Sequence, residues 1–191
     1  MSVMATAADN PASLNVLNPQ FTLETFRATS GNEMAVGAVN LILKACPMPS
    51  NPLYIYGKSG AGKSHLTQGL CRLFGCRGGS WFYITGEQFA AKYAVARTTH
   101  HVEAFDRKME SVQLVVVDGL SGLLKDKMAH GKLARILGAL LMKPVKQVVL
   151  TDRQSPWELI RLLPTDELRI FLEKSLLSQG HSSRGISLPI G

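Results

Sequence analysis

Residues 51–66 read Asn51-Pro52-Leu53-Tyr54-Ile55-Tyr56-Gly57-Lys58-Ser59-Gly60-Ala61-Gly62-Lys63-Ser64-His65-Leu66. Within this stretch Gly57 to Ser64 has the spacing G-x4-G-K-[ST] of a phosphate-binding loop. The apolar run at 53–56 reads as a buried strand, and residues 64–74 read as a helix ended by Gly75. A chance glycine-rich turn has no reason to lie between a strand and a helix. Gly57, Gly60 and Gly62 let the backbone curl until its N–H groups converge on phosphate oxygens. The helix that follows adds the positive end of its dipole. In that geometry Lys63 reaches the β- and γ-phosphates and the Ser64 hydroxyl reaches a Mg²⁺ ion. The stretch Gly57, Lys58, Ser59, Gly60, Ala61, Gly62, Lys63 and Ser64 is thus expected to hold a nucleoside triphosphate.

Outward from the loop, strands and helices alternate. Residues 32–44 predict a helix that ends before Pro47. Residues 81–85 predict a second strand, and 87–95 and 102–109 two helices broken at 98–101. Residues 114–117 predict a third strand and 132–142 a helix stopped by Pro144. A fourth strand is expected at 147–151, a short helix at 156–162 and another at 166–178. Such alternation implies a parallel sheet covered by helices on both faces, a three-layer αβα sandwich. The chain divides into a flexible lead at 1–16, a nucleotide-binding core at 17–163 and a closing helix with a tail at 164–191. In the tail, 182–191 shows no clear structure.

Composition limits the function classes. Of 191 residues, 46% are hydrophobic, enough for one packed domain. The formal net charge of +7 favours anionic partners such as nucleotides or nucleic acid, although a merely basic surface fits it equally well. The three cysteines, Cys46, Cys71 and Cys76, form no CxxC pair, so a reducing cytoplasm is expected rather than a disulfide framework or structural zinc. The N-terminus lacks a signal-peptide pattern, and no segment has the length of a membrane helix.

A second chemical element lies at Leu114-Val115-Val116-Val117-Asp118. An apolar strand ending in Asp downstream of a phosphate loop is the Walker-B arrangement, so Asp118 is expected to share the Mg²⁺ with Ser64. Enzymes that hydrolyse through this arrangement usually carry an acid at the next position to activate water. Here that position is Gly119. Asp126 and Asp152 are the substitutes to consider, and weak or absent hydrolysis is expected unless one of them or a partner supplies the base.

These residues together resemble the AAA+ domain of the bacterial replication initiator DnaA family. The resemblance rests on residues 51–57, on the exit Lys63-Ser64-His65-Leu66, and on Leu17-Asn18-Pro19-Gln20-Phe21-Thr22-Leu23-Glu24-Thr25-Phe26. It continues through Gly31-Asn32 with Ala35, through Tyr83-Ile84-Thr85-Gly86-Glu87-Gln88-Phe89, and through Gln147-Val148-Val149-Leu150-Thr151-Asp152-Arg153. It covers roughly residues 17–160. It implies ATP with Mg²⁺ as cofactors, places His65 and Thr151 at the nucleotide, and makes Thr151 and Asp152 candidates to sense the γ-phosphate. Asp118 and Asp152 are then the candidate catalytic acids. It also implies side-by-side self-association and replication proteins as partners. An element in this family that touches single-stranded DNA falls at Arg97, His100, His101, Arg107 and Lys108. A solvated helix face explains that basic cluster as readily.

The sequence departs from the family pattern at Gly119 and at Gly131-Lys132, where an acidic pair is expected. It also departs after Glu158, where the arginine-finger segment and the fifth strand are not evident, and where the lid is reduced to the helix at 166–178. An edge strand would then be left uncovered. The expectation is an ATP-holding switch in replication initiation. The alternatives are a shortened regulator or helicase-loader-like adaptor that binds mainly protein, and, behind both, a small-molecule kinase, which would need an arginine-rich lid that Arg161, Arg169 and Arg184 do not form.

Overall fold

A computed structural model describes residues 17–47, 50–164, 166–177 and 186–191. The lead at 1–16 and the segment 178–185, with Arg184, lie outside the described residues. The strands are β1 (Leu53–Tyr56), β2 (Trp81–Thr85), β3 (Leu114–Asp118), β4 (Gln147–Asp152) and β5 (Ile186–Pro189). All pair in parallel, in the order β2-β3-β4-β1-β5. The first four read as near-continuous apolar runs because a parallel sheet is covered on both faces.

Alternate strand residues serve opposite layers. Leu53, Ile55, Leu114, Val116 and Val149 pack with α1 (Glu33–Lys44) and α2 (Lys63–Cys76). Tyr54, Ile84, Val115, Val117 and Leu150 pack into the other core. That core is closed by α3 (Gly86–Thr98), α4 (Val102–Glu110), α5 (Lys127–Leu141), α6 (Pro156–Leu162) and α7 (Glu167–Leu172). The αβα sandwich and the parallel sheet are therefore as expected. Among the described residues, no helix is long and apolar enough to cross a membrane.

Three expectations are corrected. A fifth strand exists: Ile186–Pro189 pairs with β1 from Leu53↔Ile186 to Tyr56↔Pro189, so β1 is an inner strand and not an open edge. Four residues ending in proline carry almost no local strand signal. Their conformation is imposed by the β1 ladder and by Ile190 N–H donating to the Tyr56 carbonyl at 2.7 Å. Next, α5 begins five residues earlier than periodicity suggests. Asp126 caps it by accepting from the N–H groups of Met128 and Ala129, both at 3.0 Å, which satisfies two otherwise orphaned donors. Finally, the helix expected at 166–178 is α-helical only to Leu172 and continues as a π turn at Glu173–Leu177. A 3₁₀ turn at Leu120–Leu123, which has no periodic signature, follows β3.

Candidate functional site

The phosphate loop leaves β1 and enters α2 with Gly60 and Gly62 at φ 81° and 90°. Glycine is required at Gly57 for a different reason: a β-carbon there would lie 1.9 Å from the Ile190 carbonyl oxygen. The loop is thus buttressed by the same C-terminal strand that completes the sheet. Lys63 folds back over the loop, and its Nζ donates to the carbonyls of Gly57 at 2.6 Å and Lys58 at 2.8 Å. Burial draws the Lys63 ammonium below its ordinary pKa, with Asp118 and Asp152 acting in the opposite direction.

A cavity of about 690 Å³ opens over the loop, within the usual range for a small-molecule site. Ser59, Gly60, Gly62, Lys63 and Ser64 form one wall. Asp118, Asp152 and Arg153, at the C-terminal ends of β3 and β4, form another. Asp118 is 8% exposed, with Oδ2 accepting from the Tyr83 hydroxyl and Oδ1 from the Thr151 hydroxyl. Burial first, and the Asp118 charge next, hold the Tyr83 hydroxyl protonated and keep it a donor. Thr151 is fully buried and lines no part of the cavity; its Oγ1 also accepts from the Gly119 N–H at 3.0 Å. It touches Asp118 where the resemblance placed it on nucleotide.

The remaining acids differ in how they are engaged. Asp152 lines the cavity, but its Oδ2 accepts from the Ser121 N–H and its Oδ1 from Arg153 N–H at 2.7 Å and Gln154 N–H at 3.1 Å. Asp126 caps α5 and does not line the cavity. Gly119 lines it in a left-handed conformation, φ 73° and ψ 68°. Glu87 was not singled out by its sequence, yet its carboxylate lines the cavity and has no partner among the described residues. The signal was present: a Thr85–Gln88 capping box starts α3 at the C-terminal end of β2, and parallel sheets bind ligands at that end. Close packing brings Glu87 in. A β-carbon on Gly86 would meet the Gly119 carbonyl oxygen at 2.4 Å, and one on Gly122 would meet Glu87 at 2.7 Å.

The Ser64 hydroxyl and the Asp118 carboxylate share the cavity and are hard oxygen donors suited to Mg²⁺. Among the described residues no cluster of three or more His, Cys, Asp or Glu could hold a metal unaided. A Mg²⁺ ion here would need phosphate oxygens as well, the usual arrangement for this ion.

His65, expected at the nucleotide, also lines the cavity, but its ring is committed to the segment at 18–26. It stacks on Phe21 at 4.8 Å and 12°, meets Phe26 edge-on at 5.3 Å, and its Nε2 lies 2.9 Å from the Thr22 carbonyl. In the Nε2–H tautomer that contact is a donated hydrogen bond. His65 therefore straps this segment over α2, where a β-carbon on Gly62 would lie 2.9 Å from the Phe26 ring.

The basic cluster assembles at the corner between α3 and α4. Arg97, His100, His101 and Arg107 line a second cavity of about 390 Å³, with Lys108 exposed beside it. Arg107 pairs with Glu103 at 3.6 Å on the surface, where such a pair contributes little.

A parallel sheet in this order, a phosphate loop after β1, a carboxylate at the end of β3 and a Thr-Asp pair at the end of β4 define a P-loop nucleotide-binding domain of the AAA+ type. Residues 17–178 match the model of the bacterial DnaA ATPase domain, and the chain belongs to that family. It is 30% identical over 179 residues to the chromosomal replication initiator protein DnaA of Rhizobium johnstonii, covering 88% of this chain and 37% of that protein. Against DnaA of Lacticaseibacillus casei it is 32% identical over 148 residues, covering 76% and 33%. The chain thus spans about a third of the length of these curated relatives. Among solved structures, a replication initiator DnaA bound to AMPPCP and single-stranded DNA superposes with a TM-score of 0.80 at 27% identity, over 92% of this chain and 51% of that one. A DnaC helicase loader shares the fold, with a TM-score of 0.63 at 12% identity, over 91% of this chain and 100% of that one.

Proposed function

We propose that this chain is a nucleotide-dependent switch in replication initiation that binds ATP with Mg²⁺ in the cytoplasm and hydrolyses it slowly. One observation carries the reading: Lys63, Ser64 and Asp118 line one cavity over the loop, while the position after Asp118 is a left-handed glycine. To take up the triphosphate, Lys63 exchanges the carbonyls of Gly57 and Lys58 for phosphate oxygens. Ser64 and Asp118 would hold Mg²⁺, which when bound supplies positive charge beside phosphate oxygens. Tyr83 and Thr151 orient Asp118 and leave it spare lone pairs for the metal's shell.

Asp152 accepts three backbone N–H groups, which brace the turns after β3 and β4 and hold its charged form, so it is a poor base. Glu87, which lines the cavity with no partner among the described residues, is the carboxylate available to take a proton from water. Arg153 offers the cavity a positive charge for phosphate. The corner of Arg97, His100, Arg107 and Lys108 follows the backbone of single-stranded DNA, with further contacts to replication proteins or to copies of the same chain.

Two measurements test this: ATP affinity by calorimetry with steady-state phosphate release, and oligonucleotide binding with and without ATP across a salt series. Measurable ATP affinity with slow release and a steep salt dependence supports the switch. Turnover at ordinary ATPase rates sinks the slow-hydrolysis reading. Absence of oligonucleotide binding at low salt sinks the DNA contact and leaves the protein-binding adaptor.

A further inference from the structure

We propose that Lys132 is a positioning residue for the basic corner: its partly buried ion pair with Asp106 sets the rotation of α4 and so the direction in which Arg107 and Lys108 point. This rests on the reading of that corner as a nucleic-acid contact.

The argument begins with the length of α4. It has nine residues, too few for a helix to hold itself in water, so its orientation comes from packing. Phe105 and Met109, one turn apart, anchor it along a single line. Phe105 meets Phe89 of α3 edge-on at 5.2 Å and Tyr93 at 6.4 Å. A single line of apolar contacts permits a short helix to roll about that line. The second constraint is off the line. Asp106, the residue after Phe105, turns toward α5, where its Oδ2 accepts from Lys132 Nζ. Lys132 is 8% exposed. The other Asp106 oxygen, Oδ1, is buried and has no hydrogen-bond partner among the described residues. Removing the lysine therefore leaves a partly buried carboxylate, with one oxygen out of solvent, lacking its counter-charge, which costs more than the pair itself contributes. The next two residues, Arg107 and Lys108, are exposed cations on the same helix, so any roll of α4 carries them with it.

Lys132 also reaches the α3 side of the corner. Its Nζ lies 6.0 Å from the centre of the Tyr93 ring, and the Arg97 guanidinium carbon lies 5.9 Å from the same centre. Both are at the outer limit of cation–π contact. One buried lysine thus sits against both elements that carry the surface cations. Being buried, it has no phosphate of its own to contact, and this makes its effect separable from theirs.

The test uses the full chain and a fluorescently labelled oligodeoxythymidylate, followed by anisotropy over a range of KCl concentrations, with nucleotide affinity and melting temperature measured alongside. Arg107→Ala serves as the control for the corner itself. Lys132→Met is expected to weaken oligonucleotide binding roughly three- to tenfold and to flatten the plot of log K against log salt by about 0.7 for each phosphate that the protein no longer neutralises. Lys132→Arg, which keeps the charge, recovers most of both. Because Lys132→Met strands Asp106, the double variant Lys132→Met/Asp106→Leu is the decisive one: it replaces the pair by apolar packing that a buried site tolerates. It is expected to melt near the wild type, bind nucleotide as the wild type does, and keep the shallow salt slope. A double variant with wild-type slope and affinity, alongside an Arg107→Ala that weakens binding, overturns the positioning role and leaves the DNA reading standing. A wild-type chain that binds nucleotide but no oligonucleotide removes the DNA reading and this inference with it.

Discussion

Gly119→Ala puts a methyl group where nothing lies within 4 Å, and we expect it to destabilise the protein all the same. The whole cost is in the backbone. Gly119 has φ 73° and ψ 68°, and its N–H is held by both the carbonyl and the hydroxyl of Thr151, each at 3.0 Å. A side chain in the left-handed region costs about 1–2 kcal/mol. In a domain of this size each kcal/mol moves the melting temperature by about 2–4 °C, so Gly119→Ala should melt about 2–8 °C below the wild type. Gly119→Asn should lose less, because asparagine tolerates that region better. The same strain decides what an acid can do here. A well-placed base is worth about 10² in rate or more. If Gly119→Glu must leave the left-handed conformation to aim its carboxylate, a cost of about 1–2 kcal/mol divides that gain by about 5–30, leaving turnover roughly 3–20-fold above the wild type. Scanning fluorimetry and phosphate release measure the two effects. An alanine variant melting with the wild type, or a glutamate variant more than about 10²-fold faster at undiminished stability, would refute the reasoning.

Three further outcomes are expected. Glu87→Gln keeps the size of the side chain and removes the proton acceptor, so single-turnover phosphate release should fall by at least about tenfold while ATP affinity changes little; equal rates would remove Glu87 from the reaction. Gly57→Ala drives a β-carbon into the Ile190 carbonyl at 1.9 Å, and should both expose the C-terminal strand to limited proteolysis and abolish nucleotide binding; retention of either property would separate the strand from the loop. Ser155 and Glu158 form the capping box of α6, and the Ser155 backbone N–H, then its hydroxyl, holds the Glu158 carboxyl below its ordinary pKa. A depressed pKa gives stability that is present above the unfolded value, about 4.3, and lost as pH falls through the folded one. Ser155→Ala removes the hydroxyl's share of that shift and the pH-independent cap on the Glu158 N–H, so its melting temperature should lie below the wild type throughout, with a gap that narrows in acid without closing; a gap that widens in acid would reverse the assignment.

Gly57 to Ser64 and the Asp118 strand were legible in the sequence because their chemistry is local. Eight consecutive residues make the loop, and one apolar run delivers one carboxylate to its end. The αβα order was legible for a similar reason: each of the first four strands and its helix carries its own period, written over 4 to 15 residues. The same local character exposed the missing acid at Gly119, though not the left-handed turn that makes replacing it costly.

The tertiary structure decided the rest. It recruited Ile186–Pro189 as the fifth strand through pairing with β1, more than 120 residues away in sequence, where no local preference could announce it. It turned Tyr83 and Thr151 toward Asp118, brought Glu87 to the cavity with no partner among the described residues, and set Lys132 of α5 against Asp106 of α4. Each of these depends on which surfaces the register and the helix packing bring together. The residue types and their spacing determined by themselves that the chain carries a phosphate-type loop followed by an apolar strand that ends in a carboxylate. Which carboxylates accept backbone N–H groups, which lines the cavity with no partner among the described residues, and which cations share a corner were settled only when distant segments competed for the same donors and the same buried space.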